Sequence, residues 1–317
     1  MDAKPLFDQR PGEIIAVDRW QPDEDFPIFP TGQKPKRALM CPSPAPHRFL
    51  LAGHRYLFKE PDGYTAQQIW SEVIAYKLSR HLPVEVPPAF LGFDARAGSA
   101  GVLVEFFLGH GSRRDLDFVP ASDRFQARHM TFSTRQGSLK DNISLSRQHN
   151  VPNPWEWWAR TVAFDALIGN TDRHSQNWGF LVRRPYGAPA AYELAPVFDN
   201  GSSMNFVVRD QEIVGKMRPA DFDRLITRGM HHYAWTAADP NSARGHATLA
   251  GSFAKRGHGV TAAMSEIASL SDAALESILS DCVESSSFPV AFTEERAGFV
   301  RAQVRARRAA LQQGLGG

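Results

Sequence analysis

The sequence predicts an α+β protein of two lobes, a small sheet-rich one over residues 1–107 and a larger, mainly helical one over residues 108–317. Three observations predict this. Short β-type runs flank a single amphipathic helix between residues 37 and 107. A long apolar helix followed by two more strand-like runs occupies the middle of the chain. The last third is dominated by helical periodicity.

The bulk properties fit such a protein and exclude several classes. The 317 residues can bury a sizeable core, and 43% apolar with 22% charged residues rules out a wholly disordered or fibrous chain. Lys+Arg 36 against Asp+Glu 34 leaves a formal net charge of +2, too balanced for an electrostatic nucleic-acid binder or a membrane-surface protein. The two cysteines, Cys41 and Cys282, exclude a disulfide framework and a multi-cysteine zinc site, and fit a reducing compartment. The opening MDAKPLFDQRPGEII has no apolar stretch of the secretory type, and no run approaches the roughly 18 apolar residues of a membrane span. The expectation is a cytoplasmic protein with no membrane and no direct nucleic-acid contact.

Taken in order, the first forty residues are rich in Pro and charge and read as loops. Residues 37–41 and 48–59 follow as strands, the second broken at Gly53-His54 by a turn between paired strands. A helix begins at the N-cap Thr65, with Gln68 completing a capping box, and Pro83 stops it. Ile69, Val73, Tyr76 and Leu82 share its apolar face. Residues 89–93 and 101–107 form a hairpin. Residues 110–147 are polar, Arg-rich and without clear periodicity. Asn153-Pro154 then caps a strong helix that Gly169 ends. Residues 178–182 and 192–198 are strands joined by a Pro/Gly-containing turn. Residues 239–259 read as a mobile loop, and helices cover 261–270, 272–284 and 294–313, the last two capped by Ser271 and Thr293.

The densest polar cluster, Gly169 to Asn177, lies between the apolar helix and a strand, where a loop projects side chains from a rigid base. Asp199-Asn200-Gly201 follows the next strand. If the two strands form a hairpin, Asn177 and Asp199 share one end of it, and an amide oxygen beside a carboxylate suits a hard cation such as Mg²⁺. Asp172 stands five positions before Asn177. Asp-x-x-x-x-Asn, a hairpin and Asp-x-Gly together match the spacing of kinase cores. Phosphoryl transfer needs metal-holding Asn and Asp and a further Asp to orient the attacking hydroxyl. The glycine would let the chain turn after the metal-binding aspartate. Upstream, Lys59 ends a strand where it can meet nucleotide phosphates, and Glu72, thirteen residues on, can hold it. Glu105 to Phe107 end the last strand of the first lobe, where a linker would offer backbone groups to adenine. Any one of Asp172, Asn177 and Asp199 alone would be read as a cap or turn residue; their joint order carries the functional reading.

The segments GNTDRHSQNWGFL, YELAPVFDNG, YLFKEPDGYTAQQIWSEVIAYKL and VLVEFF resemble the HipA-like serine/threonine kinases, bacterial enzymes of which several act as toxins in toxin–antitoxin pairs. The resemblance runs over about residues 28–310, with a weaker match at Thr31 to Lys36, near the family's phosphate-covering loop. It implies a two-lobed kinase-like fold, with ATP and Mg²⁺ as cofactors and a Ser or Thr hydroxyl on a protein as acceptor. It also implies an antitoxin partner where the member is a toxin. Carried over, Asp172 is the catalytic base, Asn177 and Asp199 the Mg²⁺ ligands and Lys59 the ATP-phosphate lysine, with His174 a structural or catalytic-loop residue. Gln176 stands where the family often has a nucleotide-facing Lys, which places the transfer rate in question. No Gly-x-Gly-x-x-Gly is present, so another loop must close over the nucleotide. Autophosphorylation before the first strands would use Thr31 or Ser43.

The Asp-Arg-His-x-x-Asn pattern is also similar to phosphoinositide lipid kinases, though no basic amphipathic helix offers a membrane surface. A small-molecule kinase shares the same core. A nucleotide-binding pseudokinase or regulatory module is the rival of a different class, supported by Gln176. No phosphate loop of the Gly-x-x-x-x-Gly-Lys type and no Gly-x-Ser-x-Gly elbow occurs. His231, His232, His246 and His258 read as surface histidines, Trp155, Trp157 and Trp158 as helix packing, and the run from Arg296 to Arg308 as a solvated helix face.

Overall fold

The computed structural model describes residues 8–24, 36–127, 137–257 and 259–316. Its first part is a six-stranded sheet in the order β1-β5-β6-β4-β3-β2. The strands are β1 (Ile15–Ala16), β2 (Gln21–Pro22), β3 (Lys36–Met40), β4 (Arg55–Lys59), β5 (Ala89–Asp94) and β6 (Ser99–Glu105). Only the β1–β5 pairing is parallel. Strand β4 shows why the sheet has two distinct faces. Tyr56 and Phe58 are buried while Arg55, Leu57 and Lys59 point to the other side, as the two-residue period of a strand requires.

Helix α1 (Gln68–Ser79) is buried along its whole length. It packs on β5 and β6 on one side and on a C-terminal helix on the other. Trp70 donates its indole N–H to the carbonyl of Val290 at 2.9 Å, and Lys77 meets Asp281 at 3.0 Å. The C-terminal third therefore fixes the helix that carries Glu72.

The remainder holds a three-stranded sheet in the order β7-β8-β9, from β7 (Leu116–Pro120), β8 (Gly179–Arg183) and β9 (Ala191–Leu194). Around it lie α2 (Ala121–Gln126), α3 (Leu139–Gln148), α4 (Pro154–Ile168), α5 (Ile213–Lys216), α6 (Pro219–Thr227), α7 (His246–Ala254), α8 (Val260–Ala268), α9 (Asp272–Glu284) and α10 (Glu294–Gly316). Helix α4 is central, packed against α7, α8 and α10. One apolar cluster runs from Phe58 and Leu103 through Trp70 to Trp158, Phe164 and Val300, so sheet and helices share a core.

Several local expectations are corrected. Residues 48–54 are turns; the hairpin partner of β4 is β3, from Lys36↔Lys59 to Met40↔Arg55. Phe49 and Leu50 are buried there as loop residues, which is why they mimic a strand. Thr65 ends a short 3₁₀ turn, and Gln67 stands at the N-cap of α1 without a side-chain capping bond, its amide instead donating to the carbonyl of Ala291 at 3.2 Å. Asn153 holds φ +46 and does not cap α4 through its side chain. Residues 239–259 are not an open loop but contain α7. His231 and His246 are 1% and 5% exposed rather than at the surface. The arginine run is a clamp: Arg296 and Arg307 are buried, Arg301 meets Glu276 at 2.8 Å and Arg308 meets Asp272 at 2.8 Å. Thr31 and residues 31–35 of the weak phosphate-loop match lie outside the described residues, as does His258, while Ser43 is exposed. The caps Ser271 and Thr293 accept from the backbone N–H of Ala274 and Arg296.

Candidate active site

The site is built where β4, α1 and the segment after β9 meet. Lys59 ends β4, and its Nζ lies 2.5 Å from Glu72 Oε1 and 2.7 Å from Asp199 Oδ1. The second oxygen of Glu72 accepts the backbone N–H of Asn200 at 3.1 Å. One carboxylate on α1 thus holds both the lysine and the chain beside Asp199. Asp199 adopts φ +58, a left-handed conformation that Asp tolerates better than most residues. The sharp turn is therefore taken by Asp199 itself, not by Gly201, which has no positive φ and packs against Gln68 and Glu72.

The loop from Gly169 to Asn177 is anchored from below. Gly169 ends α4 at φ +68, where a Cβ would stand 2.7 Å from the Arg307 guanidinium. Asn170 donates to Asp165 at 3.1 Å and its carbonyl meets His246 Nε2 at 2.9 Å. Arg173 is 1% exposed and pairs with Asp165 at 2.8 Å. Its other donors reach the carbonyl of Asn177 at 3.2 Å, the carbonyl of Phe198, and Asn200 Oδ1 at 2.7 Å. A single guanidinium therefore ties the segment before the β8–β9 hairpin, at Asn177, to the segment after it, at Phe198 and Asn200.

The charges are arranged to hold one another. Burial alone would lower the Lys59 ammonium, but Asp199 and Glu72 override it and hold it above the usual lysine value. Burial would raise Asp199, and Lys59, helped by Lys36 and Arg173, instead keeps it well below the usual carboxylate range. Burial lowers Lys36, which pairs across the strands with Lys59.

The donor set fits a magnesium ion. Asn177 commits its amide N–H to the carbonyl of Asp172 at 2.7 Å, which leaves the amide oxygen as the atom for a ligand. Asp199 keeps 41% of its side chain exposed and adds carboxylate oxygen. Hard oxygen donors of this kind are what Mg²⁺ selects.

The other predicted residues fall as follows. Asp172 is 46% exposed, with His174 Nε2 3.9 Å from its carboxylate; His174 Nδ1 accepts the N–H of Gln176 at 3.2 Å. Gln176 is exposed. Phe107 packs on Phe198 and Phe118, with ring centroids 5.5 and 5.4 Å away, against the segment that leads from β9 into Asp199. Glu105 is not brought to Lys59. It pairs across the ladder with Tyr56, which places its side chain on the opposite face of the sheet, and its N–H is taken by the carbonyl of Pro88. Sequence reasoning missed Arg173, Asp165, Asn200 and Lys36. The available signal was Asp165, an acid set among apolar residues in the last two turns of α4, where burial would demand a partner.

Comparisons with known proteins bear on the family and the fold. The family model described as the HipA-like C-terminal domain matches residues 29–281. The crystal structure of the Helicobacter pylori proinflammatory kinase CtkA superposes with a TM-score of 0.72 at 18% identity, over 96% of this chain and 99% of that one. HipA from the Shewanella oneidensis MR-1 toxin–antitoxin complex with HipB and operator DNA gives a TM-score of 0.50 at 16% identity, over 93% of this chain and 66% of that one. A 48-residue stretch is 46% identical to the serine/threonine-protein kinase CtkA of Helicobacter pylori strain J99, and covers 15% of this chain and 14% of that protein. The fold is the α+β kinase-like fold of these structures, with a β-rich sheet and a larger helical part. With most of its length matched by the family model, the chain belongs to the HipA-like C-terminal domain family.

Proposed function

We propose that the chain is an ATP- and Mg²⁺-dependent protein kinase of the HipA type, which transfers the γ-phosphoryl group to a Ser or Thr hydroxyl. The observation that carries this is Lys59 Nζ held between Glu72 and Asp199, residues that lie 13 and 140 positions away from it in sequence. Nucleotide would bind between the sheet lobe, residues 1–107, and the helical lobe, residues 108–317. Lys59 would meet its phosphates, with Lys36 adding positive charge on the same strand pair. Asn177 and Asp199 would hold Mg²⁺, which supplies neutralisation of the charge that builds on the transferring oxygens. Asp172, exposed at the rim, would orient the acceptor hydroxyl and take its proton. Family membership supports a protein substrate, a cytoplasmic setting and, if the chain is a toxin, an antitoxin partner. Among the described residues no helix is long and apolar enough to cross a membrane.

The test is incubation with labelled ATP and Mg²⁺ together with a bacterial protein extract. Wild type is expected to transfer label. Asp172→Ala should bind nucleotide without transfer, and Asp199→Ala should lose transfer and metal-dependent nucleotide affinity together. Wild type that binds ATP but transfers nothing would favour a nucleotide-binding regulatory module, the reading that Gln176 supports. Transfer surviving both substitutions at the wild-type rate would overturn the site.

A further inference from the structure

We propose that His54, Glu105 and His110 form a binding site for a divalent transition cation, with Zn²⁺ the best match, at the corner where the chain leaves the six-stranded sheet. One ligand atom from each of the three residues lies within 4.8 Å of the other two. His54 directly precedes β4, Glu105 is the last residue of β6, and His110 lies in the connection to β7. His110 Nε2 is already 3.4 Å from Glu105 Oε1, about the spacing of two donors that share a tetrahedral cation at roughly 2.1 Å. The His54 and His110 rings stand edge to face, 4.7 Å between centroids.

The groups that hold these ligands are in place as well. His54 Nε2 lies 2.7 Å from the carbonyl of Phe106. A carbonyl only accepts, so that nitrogen carries the proton and Nδ1 keeps its lone pair for a metal. Holding a ligating imidazole by its other N–H is the usual support of a histidine metal ligand. Glu105 is braced by Tyr56 Oη at 3.4 Å, itself fixed by the N–H of Leu51 at 3.0 Å. His54 and Glu105 are 8% and 7% exposed, and His110 Nε2 is buried although 25% of its side chain is open. Two imidazoles and one carboxylate suit Zn²⁺ and not Mg²⁺. Because Glu105 lies on the face of the sheet opposite Lys59, this site is separate from the nucleotide-facing one. A metal here would staple β4, β6 and the connecting segment at the junction of the two sheets.

The test uses Co²⁺ as a visible probe on chelator-stripped full-length protein. The expected result is four-coordinate Co²⁺ absorption that saturates at one ion per chain and is displaced by Zn²⁺. His54→Ala and His110→Ala should each weaken binding at least tenfold, while Asp199→Ala should retain the signal. His110 is the more exposed ligand, so His110→Ala keeps the test readable if His54→Ala fails to fold; circular dichroism checks both. Absence of four-coordinate absorption in wild type, its survival in His110→Ala, or its loss in Asp199→Ala would each overturn the proposal.

Discussion

Arg173 and Asp165 meet 2.8 Å apart with side chains 1% and 0% exposed, an ion pair closed off from water directly beneath the loop that carries Asp172 and Asn177. Such a pair is weak support for stability, because desolvating both charges offsets most of their attraction. Its consequence here is positional. The donors of Arg173 that Asp165 does not use end on Asn177, Phe198 and Asn200, and so tie two remote loops to one rigid plane.

Removing one partner should therefore be costly. Arg173→Met leaves the Asp165 charge buried without its cation, with only the Asn170 amide still donating to it, and should destabilise the fold by about 3–5 kcal/mol. Urea midpoints with constant slope are the measurement. The double variant Asp165→Leu, Arg173→Met should recover much of that stability yet remain inactive, since nothing would hold Asn177 and Asn200 together. Recovery of activity in the double variant would show that the pair does not position the site.

Glu72 bridges Lys59 and the N–H of Asn200, so it acts on both nucleotide-facing elements. Glu72→Gln keeps the shape and the backbone bond but loses the charge on the lysine. A charge-assisted bond contributes roughly 1.5–3 kcal/mol, so kcat/KM for phosphate transfer should fall about 10- to 100-fold. A fall of less than twofold would mean that Lys59 is placed by Asp199 alone.

Gln176 is exposed next to Asn177. Gln176→Lys should supply a charged phosphate contact and raise transfer by about tenfold, with Mg²⁺ requirement unchanged. Initial rates at saturating ATP read this out, and an unchanged or lower rate would show that this position does not face the phosphates.

Part of this arrangement is legible in the sequence because strand and helix order fixes it. Lys59 at a strand end and Glu72 in the next helix need only that order to meet. The hairpin after Asn177 likewise brings Asp199 back to its start. Arg173 is not legible in the same way, since an arginine is solvated by default and its burial depends on Asp165 in the preceding helix. Helix α7 is hidden because Gly245, Gly251 and Gly257 read as breakers. Gly251 is small for a packing reason: a Cβ there would stand 2.8 Å from the carbonyl oxygen of Gly314 in α10. The apolar Phe49 and Leu50 mimic a strand because a buried turn and a buried strand look alike without a partner in view. Glu105 is placed in the correct strand, but only the cross-strand register with Tyr56 shows which face it takes.

Acid should weaken the fold through its buried histidines. Burial, with Arg244 and Arg307 adding positive charge and Asp165 partly opposing them, lowers His231 from 6.5 to about 4. His246 is likewise held well below its ordinary value, by burial first and then by His231 and Arg307. The unfolded chain takes up a proton on such a histidine near pH 6.5, but the folded chain does so only near pH 4. Between those values unfolding is coupled to proton uptake, so stability is full above pH 6.5 and falls as the pH drops toward 4. For His231 the loss amounts to roughly 3 kcal/mol at most. His54 adds to it with the same sign, while Glu105, raised to about 7, pulls the opposite way as its proton is lost on going from acid to neutral pH. His231→Phe keeps a ring stacked on Tyr233, whose centroid lies 5.8 Å from that of His231, and removes the titration. Urea midpoints at about pH 7.5 and about pH 5 should differ clearly less for His231→Phe than for wild type. An equal pH dependence in the two proteins would locate the acid sensitivity elsewhere.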